Sequence, residues 1–71
     1  MTTQKITIEL NGEPFALDSG VRLQDLIDQL NLRPTRIAVA LNRTVVPKAE
    51  YPSVSLKQND KVEIVNFVGG G

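Results

Sequence analysis

The sequence predicts an α+β domain in two layers: a mixed sheet of four or five strands with one helix packed on one face. Three observations lead there. Helical apolar periodicity occurs once, between Arg22 and Leu30, while the segments on either side alternate or run apolar over strand lengths. The chain has 71 residues, enough for one small core, since a chain this short buries about 60% of its unfolded surface. A single apolar stripe covers a single sheet face, so the opposite face is left to water or to a partner.

Lys5-Ile6-Thr7-Ile8-Glu9-Leu10 alternates with period two, which puts Ile6, Ile8 and Leu10 on one face of a strand. Asn11-Gly12 is a strong hairpin signal, because both residues tolerate positive φ. Pairing back across it extends the buried face through Phe15 and Leu17. Pro14 suits an edge strand, where its missing N–H costs no ladder bond.

Leu23, Leu26, Ile27 and Leu30 fall at helical spacing, with Asp25 and Asp28 on the wet side. Asp25 also suits the positive N-terminal end of the helix dipole. Gly20-Val21-Arg22 supplies no Ser, Thr or Asp cap, and Asp18 or Ser19 takes that role if the helix begins earlier. Asn31 is a left-handed C-cap and Pro34 blocks continuation.

Ile37-Ala38-Val39-Ala40-Leu41 reads as a third strand, Asn42-Arg43 as a turn, and Thr44-Val45-Val46 as a short return ended by Pro47. Lys48 to Leu56 reads as a loop, with Tyr51 a half-buried plug beneath it. Gln58-Asn59-Asp60 turns the chain into a last strand, Val62 to Val68. A helical crossover favours parallel placement, and the first strand is expected beside the last.

Composition removes several kinds of chemistry. Hydrophobic residues are 41% and charged residues 23% of the chain, which favours a folded domain. With no cysteine there is no disulfide, thiolate nucleophile or thiolate metal site, and with no histidine the usual base near neutral pH is missing. Eight basic residues balance eight acidic ones, which disfavours nucleic acid as a partner. The balance is uneven along the chain. Up to Leu30, Lys5 and Arg22 face five acids; from Asn31 on, six bases face Glu50, Asp60 and Glu63. Such polarity is either ordinary solvated surface or a device that orients docking. No segment has the make-up of a signal peptide, and no apolar run approaches the roughly 20 residues that span a bilayer. A cytoplasmic protein without a membrane partner is expected.

The chain finishes on Phe67-Val68-Gly69-Gly70-Gly71. Glycine loses more freedom on ordering than any other residue, so this run is either a frayed terminus or an arm meant for another protein's active site. The expected organisation is one domain over residues 1–68 and a flexible glycine tail over 69–71. If Val62 and Ile64 face the helix, Val65 and Phe67 share the bare face with Ala38 and Ala40, a low apolar patch running toward the tail. Three extended glycines reach about 10 Å. A terminal carboxylate is ionised at neutral pH and a poor electrophile. Nothing in this chain supplies a base or nucleophile to activate it, so the expected role is carrier or substrate, not enzyme.

Asn11-Gly12, the Leu23-Gln24-Asp25-Leu26-Ile27 helix, Val39-Ala40-Leu41-Asn42 with Val46-Pro47, and the Asp60…Val62-Glu63-Ile64…Gly70-Gly71 ending resemble the thiamine-pathway sulfur carrier family, ThiS. The resemblance runs from Ile6 over nearly the whole chain. It implies a β-grasp (ubiquitin-like) fold. It further implies that an E1-like, ThiF-type adenylating enzyme uses ATP and magnesium to convert the Gly71 carboxylate into an acyl-adenylate, the chain itself binding no cofactor or metal. A sulfurtransferase fed by a cysteine desulfurase then replaces AMP to leave a thiocarboxylate, whose sulfur thiazole synthase takes into the thiazole ring. Gly70 and Gly71 are carried over as the functional terminus, with Gly69 adding reach. Ala38, Ala40, Val65 and Phe67 are the expected docking face. Arg22 stands where relatives often carry a capping threonine.

Three alternatives share part of this pattern. The small subunit of molybdopterin synthase is similar in fold and tail, although its chains tend to be longer, with a proline-bearing approach that Asn66-Phe67-Val68 lacks. Carriers for tRNA thiolation and lysine-linked ubiquitin-like modifiers use the same tail logic. A β-grasp interaction module with incidental glycines would tolerate loss of the tail.

Overall fold

Asn11 and Gly12 adopt φ of 50° and 86°, so the first turn has the double positive φ whose twist matches an antiparallel pair. In the computed structural model, which describes residues 4–67, this turn joins β1 (Lys5–Leu10) to β2 (Glu13–Asp18). Helix α1 (Leu23–Gln29) follows, then a 3-10 turn (Pro34–Arg36), β3 (Ile37–Leu41), β4 (Thr44–Val46), a second 3-10 segment (Lys48–Ser53) and β5 (Lys61–Asn66). The strands form one sheet in the order β2-β1-β5-β3-β4. The last strand lies in the middle, parallel to β1 and antiparallel to β3, as the helical crossover requires. This mixed sheet with one helix on one face is the β-grasp arrangement expected.

The core forms where the helix stripe meets the inward sheet face. Leu23, Leu26 and Ile27 are wholly buried against Ile8, Leu17, Val39 and Val62, and each contributes about 1.5–3 kcal/mol of burial before entropy is subtracted. Leu30, at the helix end, is only half-buried.

Both helix ends are resolved by their hydrogen bonds. Arg22 occupies the N-cap, and an arginine side chain has no acceptor to offer a backbone N–H. The cap therefore works in one direction: the Asp25 carboxylate accepts from the Arg22 amide at 2.9 Å. The next orphan amide, Leu23, donates to the Val54 carbonyl at 2.8 Å, and Leu56 donates to Val21 at 3.0 Å. A loop strand, not a side chain, satisfies the start of the helix. At the other end Asn31 has φ of 58°. Its amide donates to Asp28 and that of Leu32 to Ile27, the paired bonds of a Schellman stop.

The stretch from Lys48 is more ordered than a plain loop. It winds through 3-10 turns to Ser53, and Tyr51 is fully buried, not half-buried. Tyr51 packs with Leu56 under the helix and closes the open end of the core. The two sheet edges are both short or blocked. β2 carries Pro14, and β4 has three residues and is followed by Pro47. No helix among the described residues is long and apolar enough to cross a membrane.

Candidate functional site

The sheet face away from the helix has two unlike halves. Strands β1 and β2 present Lys5, Thr7, Glu9, Pro14, Ala16 and Asp18, all exposed, with Lys5 and Asp18 ion-paired across the hairpin at 2.6 Å. Strands β3, β4 and β5 present the apolar half. Ala38 pairs with Val65, and Ala40 lies between Glu63 on one side and Val45 on the other. The inward parity of Val39 and Val62 sends these neighbours outward, because successive side chains in a strand point to opposite faces.

Val65 and Phe67 are 58% and 53% exposed, and Val45 is 72% exposed. Large apolar side chains held this far into water on one contiguous strip are the usual mark of a contact surface. Ala38 and Ala40 are half-buried between them and leave the strip low. Of the four residues expected on this face, Ala38, Ala40 and Val65 come together and Val45 joins them, while Phe67 lies exposed one residue past the end of β5. Val45 was legible in principle. A two-residue turn at Asn42-Arg43 fixes Leu41 opposite Thr44 and hence Ala40 opposite Val45.

The strip ends where β5 leaves the sheet, and the exit is fixed by backbone bonds. The Phe67 amide donates to the Arg36 carbonyl at 2.7 Å, one residue beyond the last strand position. Further back, the Asn11 side chain grips β5 from both sides. Its Oδ1 accepts from the Ile64 amide at 2.8 Å and its Nδ2 donates to the Ile64 carbonyl at 3.3 Å. No local sequence signal marks this role of Asn11, whose partner lies 53 residues away. Beside the exit is a shallow groove of about 230 Å³ lined by Asn31, Leu32, Arg33, Arg36, Asn66 and Phe67. Gly69, Gly70 and Gly71 lie outside the described residues.

Tyr51 is held above its ordinary value by desolvation, but it belongs to the core on the far side of the sheet. Among the described residues no cluster of three or more carboxylates could hold a metal, and no buried side-chain polar atom lacks a hydrogen-bond partner.

Comparisons with known proteins agree with this geometry. Residues 5–71 match the model of the ThiS family. The sulfur carrier protein ThiS of Bacillus subtilis is 36% identical over 66 residues, covering 90% of this chain and 98% of that protein. A thiazole synthase of Magnetococcus marinus is 41% identical over 64 residues, 90% of this chain but 20% of that protein. Among solved structures, a ThiS thiamine biosynthesis protein from Geobacter metallireducens superposes with a TM-score of 0.79 at 26% identity, covering 93% of this chain and 100% of the other.

Proposed function

The chain belongs to the ThiS family, and from that premise we propose that it is a sulfur carrier for thiazole formation in thiamine biosynthesis, loaded at the carboxylate of Gly71. One observation carries the reading: the bond from Phe67 to Arg36 holds Phe67 at the end of an exposed apolar strip, four residues before Gly71 in the sequence. A partner that docks on Ala38, Ala40, Val45, Val65 and Phe67 meets the start of the tail at the edge of its own contact surface. Pre-set geometry of this kind lowers the entropy cost of bringing a reacting group into a pocket.

The chemistry belongs to the partners. An adenylating enzyme supplies ATP and magnesium; a Gly71 carboxylate oxygen attacks the α-phosphorus and pyrophosphate leaves. Sulfide then attacks the acyl carbon and AMP leaves, which gives the thiocarboxylate directly; a persulfide attacking in its place gives an acyl disulfide that a thiol reductant cleaves to the same product. This chain contributes presentation. Glycine without a Cβ lets a channel wall close on the backbone, and the sheet holds the strip up to Phe67. Thiazole synthase is the proposed acceptor. The carrier-like segment within a much longer protein named thiazole synthase supports that destination over molybdopterin or tRNA thiolation.

Incubation with the adenylating enzyme, ATP, magnesium and a sulfide source, read by intact mass, tests the reading. Exchange of one oxygen for one sulfur is expected, and none after removal of Gly70 and Gly71. An unchanged mass of the full chain, with no ATP-dependent release of pyrophosphate, would overturn it in favour of an interaction module.

A further inference from the structure

The groove beside the exit of β5 has a charge that nothing in the fold explains. The 3-10 turn Pro34–Arg36 is closed by the Arg36 amide donating to the Arg33 carbonyl at 2.8 Å. In a 3-10 turn residues three apart lie over one another, so Arg33 and Arg36 project along the same edge, and both line the groove with Phe67. Both are exposed. Among the described residues the ion pair is Lys5 with Asp18, and no carboxylate partners either arginine. The larger depression at the other end of the sheet contrasts with this, because Arg43 and Lys61 share its lining with Glu9 and Glu63. Two like charges held on one turn repel, and the sequence offers no local acid to relieve them.

Building on the carrier reading, we propose that Arg33 and Arg36 dock an acidic segment on the rim of the adenylating enzyme's tail channel. Planar guanidinium groups pair two-pronged with carboxylates, and exposed pairs of this kind set orientation and encounter rate more than affinity. A pocket that holds a triphosphate and its metal is positive inside, which draws in the anionic tip of the tail. An acidic rim outside it would repel that tip, and the arginine pair at the root converts the rim into a matching contact. The tail region is then bipolar, negative at its end and positive at its base, and fits such a channel in one orientation.

The test is steady-state pyrophosphate release by the adenylating enzyme with this chain as varied substrate, across ionic strengths. R33E/R36E should raise the KM about tenfold at low salt, leave kcat unchanged and flatten the salt dependence, within the range steering charges give. R33K/R36K should retain most of the wild-type KM. Equal unfolding midpoints for the variants and wild type keep the comparison valid, with R33Q/R36Q as the substitute if the double reversal unfolds. An unchanged KM and salt slope, or a lower KM, would overturn the proposal; absence of any turnover with the wild-type chain would instead overturn the carrier reading.

Discussion

Asn11 and Ile64 exchange two hydrogen bonds, side chain to backbone, across 53 residues of sequence. β1 ends at Leu10, and its ladder with β5 covers only Glu9 with Lys61 and Leu10 with Val62. The asparagine continues that ladder one step further with its own amide group. The first turn and the last strand are thereby one mechanical unit.

Replacing Asn11 separates its two roles. Asn11→Gly keeps the positive φ and loses the grip on Ile64, at a cost of about 1 kcal/mol for the lost hydrogen bonding. Asn11→Ala adds the strain of a left-handed residue with a Cβ, about another 1 kcal/mol. Urea unfolding should show midpoints falling in the order wild type, Gly, Ala with the slope unchanged. Equal midpoints for Gly and wild type would mean that the grip contributes nothing.

Arg43 is a site where stability is recoverable. It sits at φ of 70°, after Asn42 at 50°, in a turn that prefers glycine at its second position. Arg43→Gly should raise stability by about 1 kcal/mol, the relieved strain exceeding the extra freedom glycine gives the unfolded chain. A higher thermal midpoint with unchanged carrier activity is the expected pair of results.

The apolar strip should respond to charge in binding and not in folding. Val65→Asp or Phe67→Asp should weaken binding to the adenylating enzyme at least tenfold, since exposed apolar anchors at the middle of an interface carry most of its energy. Their unfolding free energy should stay within about 0.5 kcal/mol of wild type, as is usual for surface substitutions. Ala40→Glu confounds the two, because Ala40 lies directly opposite Glu63 and like charges there destabilise the sheet. Ala40→Lys is the cleaner probe, and calorimetric titration with the enzyme reads it.

Tyr51 is the sole tyrosine, so its ionisation can be followed without interference. Burial raises it above the ordinary 10.0, which means that the unfolded chain gives up the phenol proton first. The stabilising contribution is fully present below about pH 10 and is lost as pH rises through the folded value. Tyrosinate absorbance should appear with a midpoint above 10.0 in the folded protein, and Tyr51→Phe should remove this component of alkaline destabilisation. A midpoint at the ordinary value would place the ring in water.

Much of the fold was legible because its signals are local. Asn11-Gly12, the Leu23–Ile27 stripe, Asn31 and Asn42-Arg43 each announce a turn, helix or stop within a few residues, and strand parity then follows from alternation. The apolar strip was legible for the same reason. What stayed hidden depends on residues far apart in the chain. The Arg22 cap is unreadable without Val54, the depth of Tyr51 depends on the helix above it, and Arg33 and Arg36 gain meaning only when Phe67 is brought beside them.

Pro14 on one rim of the sheet and the three-residue β4 before Pro47 on the other leave no long run of unpaired backbone along either margin. Open strand margins are how sheets stack into polymers, and a proline in one margin and a three-residue strand at the other make both poor templates for an added strand.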